Sequence, residues 1–305
     1  MKVVITGATG TIGQALTAAL ARRGDSVVAL SRDAERGRKA APAGVEVHTW
    51  AQPTKTPPPA EALAGADGVV HLLGAPVDQR WTAEAKRAIR DSRELGTRML
   101  VAGLRGLGDG ERPRVLISQS ATGFYGPRGA EQVDEQAQPG SDFLAGVVIA
   151  WESEAEKAAP LTRVVRTRTG VVLSRAGGAL AKMLPAFRLG LGGPVAGGHQ
   201  YMPWVHLDDV VGALMFSLDS GAASGAVNVT APNPVTNAEF SRALGRVLGR
   251  PAVLPVPGFA LRALFGEMAE VVTSGQRAIP RRLQELGYGF HQPDVEPALA
   301  NVLAG

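Results

Sequence analysis

A chain of 305 residues, 45% of them apolar, is long enough to bury the core of one large domain or of two closely packed ones. Its 32 basic and 28 acidic side chains leave a net charge of only +4, and no run of Lys and Arg forms the stripe typical of nucleic-acid binding. The absence of cysteine excludes disulfides, a thiolate nucleophile and cysteine-ligated zinc. We therefore expect a globular protein with no nucleic-acid partner.

Short β-branched segments alternate with amphipathic helical segments through the first half of the chain, which is the pattern of βαβ units in a parallel sheet. The predicted strands are 2–6, 26–31, 45–50, 68–73, 114–118 and 163–172. The predicted helices are 12–23, 82–106 and 143–158. This order predicts an α/β fold with a doubly wound parallel sheet. The apolar run 143–151 is about half the length of a membrane span, so we expect a cytoplasmic protein with no membrane partner.

The character of the sequence changes after residue 175. A glycine-rich segment over 190–198 cannot form regular structure, so we predict a lid or pocket wall there. Proline-bounded stretches then enclose two predicted helices, 237–248 and 259–270. The predicted domains are a first domain over 1–175, with strand and helix returns around 205–230, and a smaller C-terminal substrate-side α/β domain, including the lid, over 176–305.

Three glycines lie between the first strand and the first helix, in Gly7-Ala-Thr-Gly10-Thr-Ile-Gly13. In dinucleotide-binding turns the first glycine permits the tight turn, the second lets the backbone approach the pyrophosphate, and the third lets the helix pack on the strand. The phosphates then lie against the free N–H groups of the helix N-terminus. We therefore predict a Rossmann-type domain with coenzyme contacts from Gly7, Thr9, Gly10, Thr11, Ile12 and Gly13.

The end of the second strand indicates which nicotinamide coenzyme is bound. An acidic residue about 20 positions beyond the glycines would hold the ribose diol of NAD. This strand instead ends in Ser31-Arg32, a hydroxyl and a planar guanidinium that suit the 2′-phosphate of NADP. Asp33 beside them is a counterargument, and Arg32 could also be a solvated loop residue. We predict NADP(H), in contact with Ser31 and Arg32.

Four motifs together resemble those of the extended short-chain dehydrogenase/reductases: the glycine turn, His71-Leu-Leu-Gly-Ala-Pro76, Ile117-Ser-Gln-Ser-Ala-Thr-Gly-Phe-Tyr-Gly126 and Trp204-Val-His-Leu-Asp-Asp209. The stretches 80–81, 187–193, 230–237 and 265–268 narrow the resemblance to an atypical "NAD-dependent epimerase family" subgroup with a C-terminal domain of unknown function. The resemblance covers nearly the whole chain. It implies backbone contacts to the coenzyme after the fourth strand, and the predicted contacts there and on the fifth strand are Leu73, Gly74 and Ser118.

The resemblance also implies a serine after the fifth strand and a Tyr-x-x-x-Lys pair on the next helix, where the tyrosine is the acid or base and the lysine lowers its pKa. Ser120 matches the serine, but the expected segment 144–153 contains neither a tyrosine nor a lysine. Val147 and Trp151 occupy the positions of the pair. Tyr125 is the nearest candidate to replace the tyrosine, although it could instead pack its loop onto the sheet. We predict Ser120 and Tyr125 as the catalytic residues.

Four further residues form the predicted substrate pocket. Trp81, Tyr201 and Trp204 could wall a pocket for a flat or apolar substrate, or could equally close a domain interface. His206 could act at neutral pH, although a histidine before two aspartates at a helix start is more often structural, with an aspartate capping the helix. The adjacent pair Asp208-Asp209 has no histidine partner at metal-ligand spacing, so we predict no metal site.

Arg166 and Arg168 alternate with Val165 and Thr167 on a predicted strand, so both arginines lie on one face. Arg168 could reach an anionic group of the substrate, but we expect it to be exposed to solvent.

Two functions remain open at this point. The first is an NADP(H)-dependent oxidoreductase or epimerase of a small molecule whose identity the sequence does not reveal, in a chain that could form a homodimer. The second is a non-catalytic NADP(H)-binding protein that acts through a protein partner. A closed pocket with convergent polar groups favours the enzyme, whereas an exposed apolar patch larger than usual for a monomer favours the partner-binding protein.

Overall fold

The computed structural model describes residues 1–304 and contains an extended parallel sheet with helices on both faces. Its strands are β1 (Lys2–Thr6), β2 (Ser26–Ser31), β3 (Glu46–Thr49), β4 (Gly68–His71), β5 (Val115–Ala121), β6 (Gln132–Val133), β7 (Arg163–Thr169), β8 (Val171–Leu173), β9 (Tyr201–Met202), β10 (Trp204–His206), β11 (Gly225–Val229), β12 (Val235–Thr236) and β13 (Arg277–Ala278).

Its α-helices are α1 (Thr11–Arg23), α2 (Ala34–Ala40), α3 (Ala60–Leu63), α4 (Ala83–Arg105), α5 (Phe143–Glu156), α6 (Gly178–Arg188), α7 (Leu207–Asp219), α8 (Asn237–Leu248), α9 (Gly258–Phe265), α10 (Ala269–Thr273), α11 (Arg281–Glu285) and α12 (Val295–Ala304). Short 3₁₀-helices cover Thr122–Tyr125 and Gly266–Met268.

Seven strands form the central sheet in the order β11-β7-β5-β4-β1-β2-β3, and every neighbouring pair is parallel. The chain starts in β1, moves to one edge through β2 and β3, and returns to build the other half from β4 onward. This arrangement is the doubly wound Rossmann topology, so the predicted fold class is confirmed. The strand order reverses between β1 and β4, which makes the carboxyl end of these two strands the expected ligand crevice.

Successive strand residues bury their side chains on opposite faces of the sheet. Val3 and Ile5 belong to the apolar cluster on the side of α1 and α7. Val4 belongs to the cluster on the side of α4, with Leu100 and Leu104. Because both faces are covered, the central strands β1, β2 and β4 are apolar over most of their length and show no alternation of polar and apolar residues.

The strand that we predicted over 163–172 is divided at Gly170 into β7 and β8. A Cβ atom at this position would lie 1.8 Å from the carbonyl oxygen of Pro203, so only glycine allows the two backbones to cross. β7 stays in the central sheet, and β8 leaves it to pair with β10. The segment α7–β11 then returns to the main sheet.

We call the remaining C-terminal layer the cap; it comprises α6, β9, β12, α8, α9, α10 and α12. It has an apolar cluster of its own, which includes Leu184, Phe187, Phe240 and Leu299. The segment 190–198 has no helix and pairs at only one position, a bridge between Val195 and Val256. The predicted division of the chain at residue 175 stays a prediction.

Candidate functional site

The glycine turn between β1 and α1 is too tight for side chains at two of its three glycines. Gly7 has a φ of +68°, and a Cβ atom there would lie 2.6 Å from the carbonyl oxygen of Leu72. A Cβ atom on Gly13 would lie 2.3 Å from the carbonyl oxygen of Gly7. Gly13 therefore lets α1 approach the turn, and Gly7 lets the turn approach β4, as the motif predicts.

Gly10 occupies a different environment, at the N-cap of α1. No side chain caps this helix end, and no acidic residue lies in its first turn. The nearest atom to a Cβ on Gly10 would be 3.4 Å away, and the residue is exposed. The first N–H groups of α1, at Thr11 and Ile12, have no acceptor within the helix, so this end presents the donors and the positive end of the helix dipole that an anion requires.

The residues at the end of β2 separate into a buried hydroxyl and an exposed guanidinium. The Ser31 hydroxyl donates to the backbone oxygen of Asp33 over 2.7 Å. Arg32 is exposed and forms no ion pair within residues 1–304. The Asp33 carboxylate accepts hydrogen bonds from the backbone N–H groups of Glu35 and Arg36, and so caps α2. Both hydrogen bonds reach Oδ1, so Asp33 caps the helix and remains an exposed negative charge beside Arg32.

The segment after β4 lies against the glycine turn on one side and against α4 on the other. The Leu73 side chain occupies the space beside Gly96 of α4. A Cβ atom on Gly74 would lie 3.0 Å from the guanidinium of Arg93, whose Nη1 donates to the carbonyl oxygens of Ala75 and Ile89. Gly74 thus makes room for an arginine of this chain. Burial lowers the pKa of Arg93 to about 10, which leaves it charged at neutral pH.

Below this segment, a histidine joins β1, β4 and α4. The Nδ1 atom of His71 lies 2.8 Å from the Thr6 hydroxyl, and its Nε2 atom lies 3.0 Å from the Thr97 hydroxyl. Thr6 also accepts a hydrogen bond from the Leu72 N–H. Complete burial lowers the pKa of His71 to about 3, so the ring is neutral at physiological pH. Its contacts hold the base of the crevice together.

Ser120 lies inside a buried ion-pair cluster. Its hydroxyl donates to Oε1 of Glu152 over 2.6 Å, and Arg168 binds both oxygens of the same carboxylate, at 2.8 and 2.9 Å. All three side chains are buried. The expectation that Arg168 is exposed is therefore wrong, because its charge is compensated by Glu152 across the interface of α5 and β7. The hydroxyl proton of Ser120 is committed to a carboxylate.

The Tyr125 hydroxyl is committed to the same cluster. It donates to Oδ1 of Asn228 over 2.6 Å and accepts from Nη1 of Arg168 over 3.1 Å. The ring has no solvent exposure, and burial raises the pKa of Tyr125 to about 12. In this arrangement Tyr125 packs its loop onto the sheet, which was the alternative to a catalytic role. A hydroxyl that is buried, doubly bonded and harder to ionise than usual is poorly suited to proton transfer.

The two helix positions that would carry a Tyr-x-x-x-Lys pair are both buried. Val147 and Trp151 lie one turn apart on α5. The Trp151 ring lies 5.1 Å from the Arg93 guanidinium in a cation–π contact, and its indole Nε1 has no hydrogen-bond partner within residues 1–304. Arg93 thus links Trp151 to the segment that follows β4.

The three aromatic residues predicted to wall a pocket lie in different packing environments. The half-buried Trp81 packs edge-on against Phe143, with 5.1 Å between ring centroids. Tyr201 lies beneath the Arg277 guanidinium at 5.1 Å. Trp204 is fully buried in the apolar cluster of the cap. Trp204 therefore closes an interface and does not wall a pocket, because its ring joins the cap to β8.

His206 is the N-cap of α7, although we expected an aspartate at this position. Its Nδ1 accepts a hydrogen bond from the Asp208 N–H over 3.0 Å, so the neutral ring carries its proton on Nε2. That Nε2 is buried and has no partner in the described part of the chain. Asp209 is buried and accepts from the N–H groups of His291 and Gln292. Asp209 thus anchors the C-terminal segment.

Residues that sequence reasoning missed hold much of this site. Glu152, Asn228 and Arg93 were assigned no role, although each is a polar residue in a buried or partly buried position. The one available signal was Glu152, which directly follows the apolar run 143–151. Its partners are far away in the sequence, so spacing alone could not have identified them.

The cap contacts the loop that follows β4. Lys182 of α6 pairs with Asp78 over 2.6 Å. Lys86, in the first turn of α4, pairs with Glu267 of the 3₁₀-helix between α9 and α10 of the cap. These ion pairs hold the cap beside the carboxyl end of β4, where the crevice lies.

Two family models match the chain. The model described as "NAD dependent epimerase/dehydratase family" matches residues 3–230, and the model of a domain of unknown function, DUF1731, matches residues 256–302. Curated relatives include an epimerase family protein of Mycobacterium bovis, 42% identical over 97% of this chain and 96% of its own length. Another is the chloroplastic SDR39U1 homolog of Arabidopsis thaliana, 39% identical over 99% of this chain and 87% of its own.

Solved structures show the same similarity. The human epimerase family protein SDR39U1, crystallised with NADPH, matches with a TM-score of 0.89 and 34% identity, with both chains fully covered. A UDP-galactose 4-epimerase matches with a TM-score of 0.73 and 20% identity, over 100% of this chain and 99% of its own, which supports the fold alone. Within residues 1–304, no helix is both long and apolar enough to span a membrane.

Proposed function

Because the chain belongs to the NAD-dependent epimerase/dehydratase family, we propose that it binds NADP(H) and transfers a hydride between this coenzyme and a small-molecule substrate. Two features together support the assignment of NADP(H) as the coenzyme. One is the uncapped N-terminus of α1 beside Gly10, which fits a pyrophosphate. The other is the guanidinium of Arg32, which forms no ion pair within residues 1–304 and lies beside Asp33, the N-cap of α2.

The proposed coenzyme contacts follow the crevice. The backbone from Gly7 to Gly13 and the N–H groups of Thr11 and Ile12 hold the pyrophosphate, and Ser31 and Arg32 hold the 2′-phosphate. Leu73 and Gly74, after β4, and Ser118 of β5, which pairs with His71 at the end of β4, hold the nicotinamide half. The crystallisation of the human relative with NADPH supports this choice of coenzyme. When bound, the coenzyme supplies the hydride.

The residues of this chain would then orient the substrate and provide a proton donor. We place the substrate beside Trp81, Tyr201 and His206, under the cap. His206 has the required property, because its Nε2–H is buried and has no protein acceptor within the described chain. A neutral imidazole can donate a hydrogen bond to a substrate oxygen. The Ser120 hydroxyl donates to Glu152, so its oxygen is left to act as an acceptor.

A titration with NADPH and NADH, followed by fluorescence, tests the coenzyme assignment. We expect NADPH to bind at least about tenfold more tightly, since a charge-assisted phosphate contact contributes roughly 1.5–3 kcal/mol. Arg32→Ala should abolish this preference and leave NADH binding unchanged. Arg22→Ala, an exposed arginine at the far end of α1, is the matched control and should behave as wild type. Equal affinities for the two coenzymes in the wild type would refute the assignment.

The second candidate is a non-catalytic NADP(H)-binding protein. It is favoured by the burial of Ser120 and Tyr125 and by the replacement of the family pair with Val147 and Trp151. His206→Asn separates the two candidates, because an asparagine oxygen can still cap α7 while the Nε2–H is lost. In a screen of NADPH oxidation with carbonyl compounds, the enzyme predicts turnover that falls about 10²–10³-fold in His206→Asn at unchanged Tm. The non-catalytic candidate predicts no turnover in either protein.

A further inference from the structure

One side of the cap exposes large apolar side chains and arginines together. Leu189, Val253 and Phe259 are exposed to 73%, 74% and 77%, and Leu264 to 67%. We call this surface the basic apolar face. Its members are Arg188, Leu189, Leu191, Arg242, Arg250, Val253, Leu254, Phe259, Arg262 and Leu264.

Backbone contacts make the basic apolar face continuous. The segment that carries Leu189 and Leu191 runs beside the segment that carries Val253 and Leu254. The position of a Cβ on Gly190 lies 3.6 Å from the Pro251 ring, and Val195 forms a bridge with Val256. α9 begins at Gly258, directly after the segment that contains Val256. The segments that carry Leu189, Leu191, Val253 and Leu254 therefore lie side by side, and α9 continues the second of them.

α9 is the part of this face that most needs a partner. Its sequence, Gly-Phe-Ala-Leu-Arg-Ala-Leu-Phe, is mostly apolar, yet none of its residues is buried. Apolar helices in monomeric proteins normally bury one side against the core. Exposed apolar surface on this scale marks an interaction site.

All the charged members of the basic apolar face are arginines, so they are positively charged. The sequence contains no Asp or Glu from 157 to 207 or from 240 to 266. Arg242, Arg246 and Arg250 line a groove of about 400 Å³ beside Val253. Within residues 1–304, Arg246 forms an ion pair with Glu296, and Arg242 interacts electrostatically with Glu239 of the same helix. Of the carboxylates on the adjoining 266–270 segment, Glu267 is paired with Lys86, whereas Glu270 is exposed on α10.

We propose that the basic apolar face binds peripherally to an anionic phospholipid membrane. A short exposed helix with Phe and Leu among arginines has the composition of elements that lie in the lipid headgroup region. Arginines outside the apolar residues would contact lipid phosphates. A second copy fits less well, because a two-fold dimer through this face would place its arginines against themselves.

Peripheral binding requires no spanning segment, so it is compatible with the lack of a long apolar helix in residues 1–304. It departs from the sequence-based expectation of no membrane partner, which rested only on the length of apolar runs. The inference does not depend on the coenzyme, since the face and the glycine turn share no residue.

Co-sedimentation with vesicles tests the proposal on the full chain. We expect the wild type to sediment with phosphatidylglycerol/phosphatidylcholine vesicles and at least about tenfold less with phosphatidylcholine alone. Phe259→Ser/Leu264→Ser should lower the partition coefficient at least about tenfold. Arg250→Ser/Arg262→Ser should lower it roughly thirtyfold on anionic vesicles. The matched control Arg90→Ser/Ile149→Ser changes an exposed arginine and an exposed apolar residue on α4 and α5 and should sediment as wild type.

Three results would overturn the proposal. The first is that the wild type does not bind vesicles, or that it binds them as well as Phe259→Ser/Leu264→Ser and Arg250→Ser/Arg262→Ser do. Thermal unfolding must show that all of these proteins are folded. The second is a wild-type dimer in analytical ultracentrifugation that Phe259→Ser/Leu264→Ser converts to a monomer, because the occupant would then be a second copy. The third is binding to soluble poly-glutamate, but not to anionic vesicles, that Arg250→Ser/Arg262→Ser abolishes. That result would indicate an acidic protein.

Discussion

The hydroxyl groups that sequence comparison nominates for proton transfer are bound to other side chains. Ser120 donates to Glu152, and Tyr125 donates to Asn228. Each is held by a contact that depends on the buried guanidinium of Arg168. These residues therefore join β5, α5, β7 and β11 below the crevice.

Tyr125→Phe distinguishes packing from catalysis. The substitution keeps the buried ring but leaves Oδ1 of Asn228 without its donor, which should lower the free energy of unfolding by about 1–3 kcal/mol. The dissociation constant for NADPH and any turnover should stay at the wild-type level. Chemical denaturation and coenzyme titration measure the two effects. A hundredfold loss of turnover with unchanged stability would instead identify Tyr125 as a catalytic residue.

His71 should make the stability of the protein depend on pH. Its pKa is about 3 in the folded protein against an ordinary value of 6.5, so the unfolded chain binds a proton that the folded chain does not. The resulting stability is present above pH 6.5 and is lost as the pH falls from 6.5 towards 3. Between pH 7 and pH 5 the loss should be about 2 kcal/mol.

The measurement is urea denaturation at pH 7 and pH 5 for the wild type and His71→Asn. The variant should be less stable at pH 7 and should lose about 2 kcal/mol less between the two pH values than the wild type. His199→Asn, at an exposed histidine, controls for the removal of an imidazole. An identical pH dependence in the wild type and His71→Asn would contradict the account.

At the scale of single elements, the turn between β1 and α1 uses its glycines for different purposes. Gly13→Ala would place a methyl group 2.3 Å from a backbone oxygen, so it should lower the Tm and weaken coenzyme binding together. Gly10→Ala meets its nearest atom at 3.4 Å, so the protein should fold normally. The new methyl group would occupy the approach to the helix N-terminus, and NADPH affinity should fall at least about tenfold.

Thermal unfolding and NADPH titration of the two variants test this separation. Normal NADPH affinity in a folded Gly10→Ala protein would contradict the proposed position of the pyrophosphate.

The elements of the first half were predictable because their patterns are local. β1 and β2 match the predicted ranges 2–6 and 26–31, since each is a short apolar run bounded by a turn. β7 and β8 were predicted as one strand because nothing local in the sequence shows that Pro203 crosses at Gly170. α9 and α10 were predicted as one helix over 259–270, but the backbone bends at Gly266, where φ is +63°.

For the candidate site too, the parts that are local in the sequence could be predicted and the parts that join distant segments could not. The glycine turn and the Ser31-Arg32 pair are contiguous in the sequence, so coenzyme contacts could be predicted for them from spacing, and these contacts stay predictions. The cluster around Glu152 could not, because its members come from α5, β7 and β11 and meet only through the sheet register. Trp204 illustrates the same limit: an aromatic residue beside a glycine-rich segment can wall a pocket or fill a core, and the fully buried ring fills the core of the cap.

Across the whole molecule, the Rossmann half and the cap are joined at the mouth of the crevice by charged side chains. Lys182 and Lys86 pair with Asp78 and Glu267 across this junction. Asp209 adds a buried attachment by binding the N–H groups of His291 and Gln292. The proposed substrate position lies under this junction.

A crystal structure of the protein with NADPH tests the central claim most directly. We predict that the pyrophosphate lies on the N–H groups of Thr11 and Ile12 and that the 2′-phosphate contacts Ser31 and Arg32, with Asp33 still capping α2. A coenzyme bound away from the glycine turn, or a 2′-phosphate without any contact to Arg32, would contradict the account.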